Sequence, residues 1–143
     1  MAEVLCLDSS VLVKLVMPEP GSEEAHRLVD GALANHGELI GPAFLLAEAL
    51  SVLRGKALRG LLTPEDADEA AGYLLSLPLV EVSGPEVYRK AWEIAGRLEM
   101  PVIYDAVYLA VAELQGAAFW TADEALYRRA RDRGYLQLLA RDA

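Results

Sequence analysis

At 143 residues and 54% hydrophobic, the chain has material for one compact domain spanning 1–143 and no room for a second, since a domain of this size already buries only roughly 70% of its unfolded surface. Its single cysteine, Cys6, excludes an internal disulfide and a multi-cysteine zinc site; no apolar run approaches ~20 residues, and acidic Glu3 stands where a secretory signal would be basic, so a cytoplasmic protein without a membrane span is expected. The net charge of −9 argues against broad attraction to phosphate, so any track for nucleic acid must be local, while the same surface suits a basic protein partner.

Residues 4–7 form a short, apolar, β-prone run that breaks at Asp8-Ser9-Ser10 into 11–15, predicting a strand that passes through polar caps into a helix. Pro18 and Pro20 stop that helix. Ser22 is expected to cap an acidic-start helix running to residue 34, and Asn35-His36-Gly37 marks the turn before a strand near 39–41. Pro42 is suited to the first position of the next helix, over 44–58, and Thr63-Pro64-Glu65-Asp66 opens its hairpin partner. A strand follows over 79–82. Ser83-Gly84-Pro85-Glu86 starts a helix to about 98, Met100-Pro101 breaks it, and 103–114 forms another that ends at Gly116. A strand over 117–120 leads to Thr121-Ala122-Asp123-Glu124, which has the form of a capping box, then a helix to 133 and a last strand over 136–139. This alternation predicts an α/β fold: a three-layer α/β/α sandwich with a mainly parallel central sheet. In such sheets functional groups gather beyond the carboxyl ends of the strands, where Asp8 and Asp123 fall.

Four carboxylates stand in apolar company. Glu48 lies within Leu46-Ala47-Glu48-Ala49-Leu50, Asp105 within Tyr104-Asp105-Ala106-Val107, Asp8 ends the first strand, and Asp123 follows Phe119-Trp120 closely. Several buried carboxylates require paired bases, protonation or a bound cation. Lys14 is the nearest basic residue to Asp8, and no matching set of cations accompanies the four. An all-oxygen donor set without a nearby His/Cys group favours hard Mg²⁺ or Mn²⁺ over zinc, and an ion of that kind acts on phosphodiesters. Each acid also has a plainer reading: Asp8 and Asp105 as helix caps, Asp123 less so if Thr121 and Glu124 already form the box. Glu48, interior to a helix, has no capping role. His26 and His36 read as surface residues, and Ser9 and Ser10 lack a histidine base, although Ser9 or Thr121 suits orientation of a water. Two basic clusters are candidates for phosphate contact: Arg54, Lys56 and Arg59, and Arg128, Arg129, Arg131 and Arg133. For any single residue a solvated helix face or complementation of the helix dipole is the better account, and it is as clusters that they are the best candidates.

Taken with the opening Leu7-Asp8-Ser9-Ser10-Val11-Leu12-Val13-Lys14, the Glu48 helix, Tyr104-Asp105-Ala106-Val107-Tyr108-Leu109-Ala110 and Trp120-Thr121-Ala122-Asp123, the chain resembles the PIN-domain ribonucleases, and within them the small VapC-type toxins of toxin–antitoxin pairs. The resemblance spans nearly the whole chain. It implies an acidic quartet of Asp8, Glu48, Asp105 and Asp123 holding Mg²⁺ or Mn²⁺, with Thr121 and Ser9 as supporting hydroxyls. Ser9 stands where many members have threonine. It further implies endonucleolytic cleavage of RNA by activated water, homodimerisation, and inhibition by a small antitoxin with a basic C-terminal segment. Lys14, Arg54, Arg59, Arg128 and Arg129 are the residues expected on the RNA track. A phosphoacceptor receiver fits less well, because Asp8 stands alone after the first strand and no lysine follows Arg133; a haloacid-dehalogenase-like phosphatase would want an aspartate where Ser10 stands. A non-toxin RNA-processing nuclease and a non-catalytic PIN-like binding module remain the alternatives.

Overall fold

A computed structural model describes residues 2–139. Five strands, β1 (Val4–Leu7), β2 (Glu38–Gly41), β3 (Leu79–Glu81), β4 (Ala118–Thr121) and β5 (Leu136–Leu138), form one sheet in the order β3-β2-β1-β4-β5. Every neighbouring pair is parallel. Seven helices among the described residues connect them: α1 (Ser9–Val16), α2 (Ser22–Ala34), α3 (Leu45–Leu58), α4 (Pro64–Ser76), α5 (Pro85–Arg97), α6 (Tyr104–Gln115) and α7 (Glu124–Ala130), the last continued by a 3-10 turn at Arg131–Arg133. None is long and apolar enough to cross a membrane.

The expected three layers follow from β1. Leu5, Cys6 and Leu7 are all buried, which side-chain alternation permits only in a strand covered on both faces. Cys6 faces α6, its Sγ 3.8 Å from the Tyr108 carbonyl oxygen. Leu5 and Leu7 therefore face the opposite layer, where α1 to α4 pack on one another, while α5 covers α6 on the first side. Residues 106–112 of α6 are buried without a break, as in a helix enclosed all round rather than one with a single apolar stripe.

Four local expectations are corrected. Gly21, in the left-handed region at φ 94°, is the N-cap of α2, and Ser22 is its first helical residue. Pro42 lies in the turn ahead of α3, its carbonyl accepting from the Leu45 N–H at 3.0 Å, and Phe44 holds the cap position. Thr121 is no helix cap: it ends β4, pairs with Leu138 of β5, and leaves Asp123 to cap α7. The last helix also ends at Ala130 rather than at 133.

The order β3-β2-β1-β4-β5 places successive connections on opposite sides of β1. The sheet therefore has a topological switch between β1 and β4, and the crevice beyond their carboxyl ends is where such folds place ligands. Asp8 follows β1 directly and Asp123 follows β4 by two residues.

Candidate active site

Asp8 is the fixed point of this crevice. Its backbone is extended, so its carboxylate can turn back over the first turn of α1, and Oδ1 accepts from the N–H groups of Ser10 (3.0 Å) and Val11 (3.4 Å) and from Ser10 Oγ (2.5 Å). Thr121 Oγ1 donates to Oδ2 at 2.5 Å and accepts from Asp123 N at 3.0 Å. Ser10 Oγ also accepts from Ala122 N at 2.9 Å, so the end of β1 is laced to the end of β4 by two hydroxyls. Asp8 is thus a cap and a site residue together. Only 6% of its surface is exposed. Burial pushes its carboxyl up to about 6, with the Ser10, Thr121 and Val11 hydrogen bonds opposing and the charge of Asp105 adding to the rise.

Glu48 sits in the first turn of α3, half-buried, and accepts a 2.5 Å hydrogen bond from the Tyr108 hydroxyl of α6. Burial, and then this bond and the Glu48 charge, hold the Tyr108 phenol far above its ordinary range, so it acts only as a donor. Tyr108 was not among the residues singled out from sequence. It lies three positions after Asp105, on the same helical face. Asp105, in the first turn of α6, is raised by loss of hydration and then by the charges of Asp123 and Glu48, with Arg129 pulling it down. Asp123 caps α7 through a 3.1 Å bond from Leu126 N to its Oδ1. Asp8 and Asp105 are thus each raised by the charge of another acid.

Burial is less uniform than the sequence suggests. Asp8 alone is buried; Glu48 is intermediate, and Asp105 and Asp123 are exposed. The last two line a crevice of about 290 Å³ with Met100, Pro101, Val102, Leu126 and Arg129. Repulsion across an open crevice, rather than apolar enclosure of four charges, is therefore what a cation would relieve. Among the described residues no three Asp, Glu, His or Cys side chains are grouped closely enough to hold a metal ion by themselves. The donor chemistry still fits a hard divalent cation, because Mg²⁺ keeps several waters and takes only one or two carboxylates in many phosphate sites.

The supporting residues divide. Ser9, the first residue of α1, makes no side-chain hydrogen bond among the described residues, and the hydroxyls on Asp8 belong to Ser10 and Thr121. Lys14 donates to Glu19 (3.2 Å) and to the Pro20 carbonyl (2.8 Å) in a groove it shares with Ser9, Ser10 and Lys56. Arg54 lines a different groove, between α3 and α4, and Arg59 caps the far end of α3, on the order of 16 Å along the helix from Glu48. Arg129 faces Asp105 and Asp123, whereas Arg128 is exposed outside that lining. Arg133 is committed elsewhere: its Nε and Nη2 donate to the two oxygens of Glu113 at 3.0 and 2.8 Å.

Solved structures share this architecture. The chain is similar to VapBC2 from Rickettsia felis, solved bound to a DNA fragment from the promoter (16% identity, 97% of this chain and 99% of that one, TM-score 0.69). It is similar to VapC20 from Mycobacterium tuberculosis, a sarcin-ricin loop cleaving toxin (18%, 96% and 99%, TM-score 0.58), and to a toxin-antitoxin complex from Klebsiella pneumoniae (14%, 93% and 95%, TM-score 0.61). Comparison with curated proteins gives no match. At such identities the structural likenesses speak for the fold alone. The PIN domain family model, however, matches residues 5–132, a stretch that takes in all four acids at the switch point, and the chain therefore belongs to the PIN domain family.

Proposed function

We propose that this protein is a Mg²⁺- or Mn²⁺-dependent endoribonuclease and the toxin of a cytoplasmic toxin–antitoxin pair. The observation that carries the reading is the charge coupling centred on Asp105, which is raised by Asp123 and Glu48 and itself raises Asp8, with Asp105, Asp123 and Arg129 lining one crevice at the switch point. A cation held by these carboxylates would lower the pKa of water and neutralise charge growing on a phosphodiester. The chain's own residues do the positioning. Ser10 and Thr121 hold Asp8 in one rotamer, the Tyr108 hydroxyl holds Glu48, and the α7 cap fixes the backbone beside Asp123. Arg129 is placed to meet a phosphate flanking the one that is cut.

RNA is favoured as substrate by the likeness to VapC20, a sarcin-ricin loop cleaving toxin, and an antitoxin partner by the likeness to the toxin-antitoxin complexes. A partner with a basic C-terminal segment complements the charge of −9. Homodimerisation is supported by Val52, Leu58, Leu61 and Leu75, large apolar residues left exposed on the α3–α4 hairpin. Incubating the purified protein with an unstructured RNA and Mn²⁺ tests the reading: internal cuts that vanish in chelator are expected, and intact RNA with either metal overturns it.

A further inference from the structure

We propose that Tyr104 is a stacking platform for an unpaired RNA base beside the scissile phosphate, an inference that rests on the reading of the acidic crevice as an RNA site. Tyr104 is the first residue of α6 and immediately precedes Asp105. It is 58% exposed, and its hydroxyl makes no hydrogen bond among the described residues. The ring is nevertheless held. Phe44 meets it edge-on, with centroids 5.6 Å apart at 90°, and meets Tyr108 in the same way at 5.3 Å and 89°. Tyr108 in turn stacks on buried Phe119, 5.9 Å away and 16° from parallel. A row of four rings, Phe119, Tyr108, Phe44 and Tyr104, therefore runs from the core to solvent, and its second member, Tyr108, also holds Glu48.

An exposed aromatic residue on its own needs no explanation. One braced from behind, at a fixed angle, next to the reacting groups, offers what single-strand binding uses: a rigid π-face whose ordering entropy is already spent. Asp105, the next residue of α6, lines the crevice with Met100, Pro101, Val102 and Arg129, and Tyr104 stands outside that lining. A strand laid across Asp105 rests a base on Tyr104 on one side and a phosphate on Arg129 on the other. Bases within a duplex have no free face to offer, so the platform selects unpaired RNA.

Binding in chelator tests this without cleavage. The probes are a fluorescein-labelled unstructured RNA and the same strand annealed to its complement, against wild type, Tyr104→Phe and Tyr104→Leu at low salt. The phenylalanine variant keeps the face and should bind the unpaired strand within about twofold of wild type; the leucine variant keeps bulk against Phe44 and should bind it about tenfold more weakly, with no change on duplex. An abasic position walked along the RNA should cost wild type about tenfold at one place. Equal binding of the unpaired strand by wild type and Tyr104→Leu, duplex bound as tightly as the unpaired strand by wild type, or no sensitive abasic position overturns the proposal. Should the leucine variant fail to fold, the abasic scan on wild type decides. Cleavage with Mn²⁺ is scored apart: a protein that cuts RNA but binds it without regard to Tyr104 keeps the nuclease reading and loses the platform, and one with Tyr104-dependent binding and no cutting does the reverse.

Discussion

Asp8→Asn should raise stability while removing activity. The rise of the Asp8 carboxyl from 3.8 to about 6 is equivalent to about 3 kcal/mol against the ionised form in the folded state. Asparagine has the shape of the neutral acid. Its Oδ1 can keep the bonds from Ser10 and Val11, but its amide must donate where Oδ2 accepted, so the Thr121 hydroxyl, already accepting from Asp123 N, has to turn and accept a second bond. That rearrangement costs about 1 kcal/mol. A net gain of about 1–2 kcal/mol is expected at pH 7 in chelator, read by denaturant melts. The sign fixes the pH dependence: a group whose folded value is raised penalises wild type fully above about 6, and the penalty fades as pH falls toward 4, so the advantage of the mutant should shrink over that window. Added Mn²⁺ should stabilise wild type by binding linkage and the mutant much less. A mutant no more stable than wild type at pH 7, with an equal response to Mn²⁺, would refute the reasoning and leave Asp8 a helix cap.

Tyr108→Phe, which frees Glu48 without opening a large void, should cost about 1 kcal/mol of stability and lower RNA cleavage about tenfold, with KM nearly unchanged; unchanged kcat would show that Glu48 needs no holding. Arg129→Ala should weaken RNA binding and reduce its salt slope by about one, whereas Arg128→Ala should do so less; equal effects would contradict the facing of Arg129 into the crevice. Arg133→Met should destabilise by about 1–2 kcal/mol without touching RNA binding. Loss of hydration works to raise Glu113, but the Arg133 and Tyr135 bonds and the charges of Arg133 and Lys90 outweigh it and hold the carboxyl low. The stability it lends is therefore present above its unfolded value of 4.5 and lost as pH falls below it, so the gap between wild type and Arg133→Met should narrow in acid. Untagged protein should sediment as a dimer; a monomer at all concentrations would leave the apolar hairpin to the antitoxin alone.

The sheet was legible because its strands are short, largely apolar runs between helical segments, with β1 ended by Asp8 and β2 by Gly41-Pro42, and the acids were legible because they fall at strand ends or in helices otherwise apolar. What misled was local pattern without pairing. Thr121-Ala122-Asp123-Glu124 has the spacing of a capping box, yet β5, arriving from 136–138, extends β4 to Thr121 and leaves the cap to Asp123. Ser9, the hydroxyl next to Asp8 in sequence and the one the resemblance implies, is not the one that holds it; helix phase argues for Ser10, since an N-cap carboxylate turns toward the second and third residues of its helix. Tyr108 stands 60 positions from Glu48, and only the packing of α6 against the start of α3 joins them. Arg133 read as one of a basic cluster, but Glu113 lies against it through contacts of 2.8 and 3.0 Å that no spacing foretells.

The most direct test of the nuclease account is cleavage of one 5′-labelled RNA by wild type and by Asp8→Asn, Glu48→Gln, Asp105→Asn and Asp123→Asn, each confirmed as folded, with Mn²⁺ and with chelator. The account predicts internal cuts by wild type only with metal, and losses of about a hundredfold or more in every variant, as expected when groups act as a unit. Cutting that persists in chelator, or four variants that all cut as fast as wild type, would contradict it.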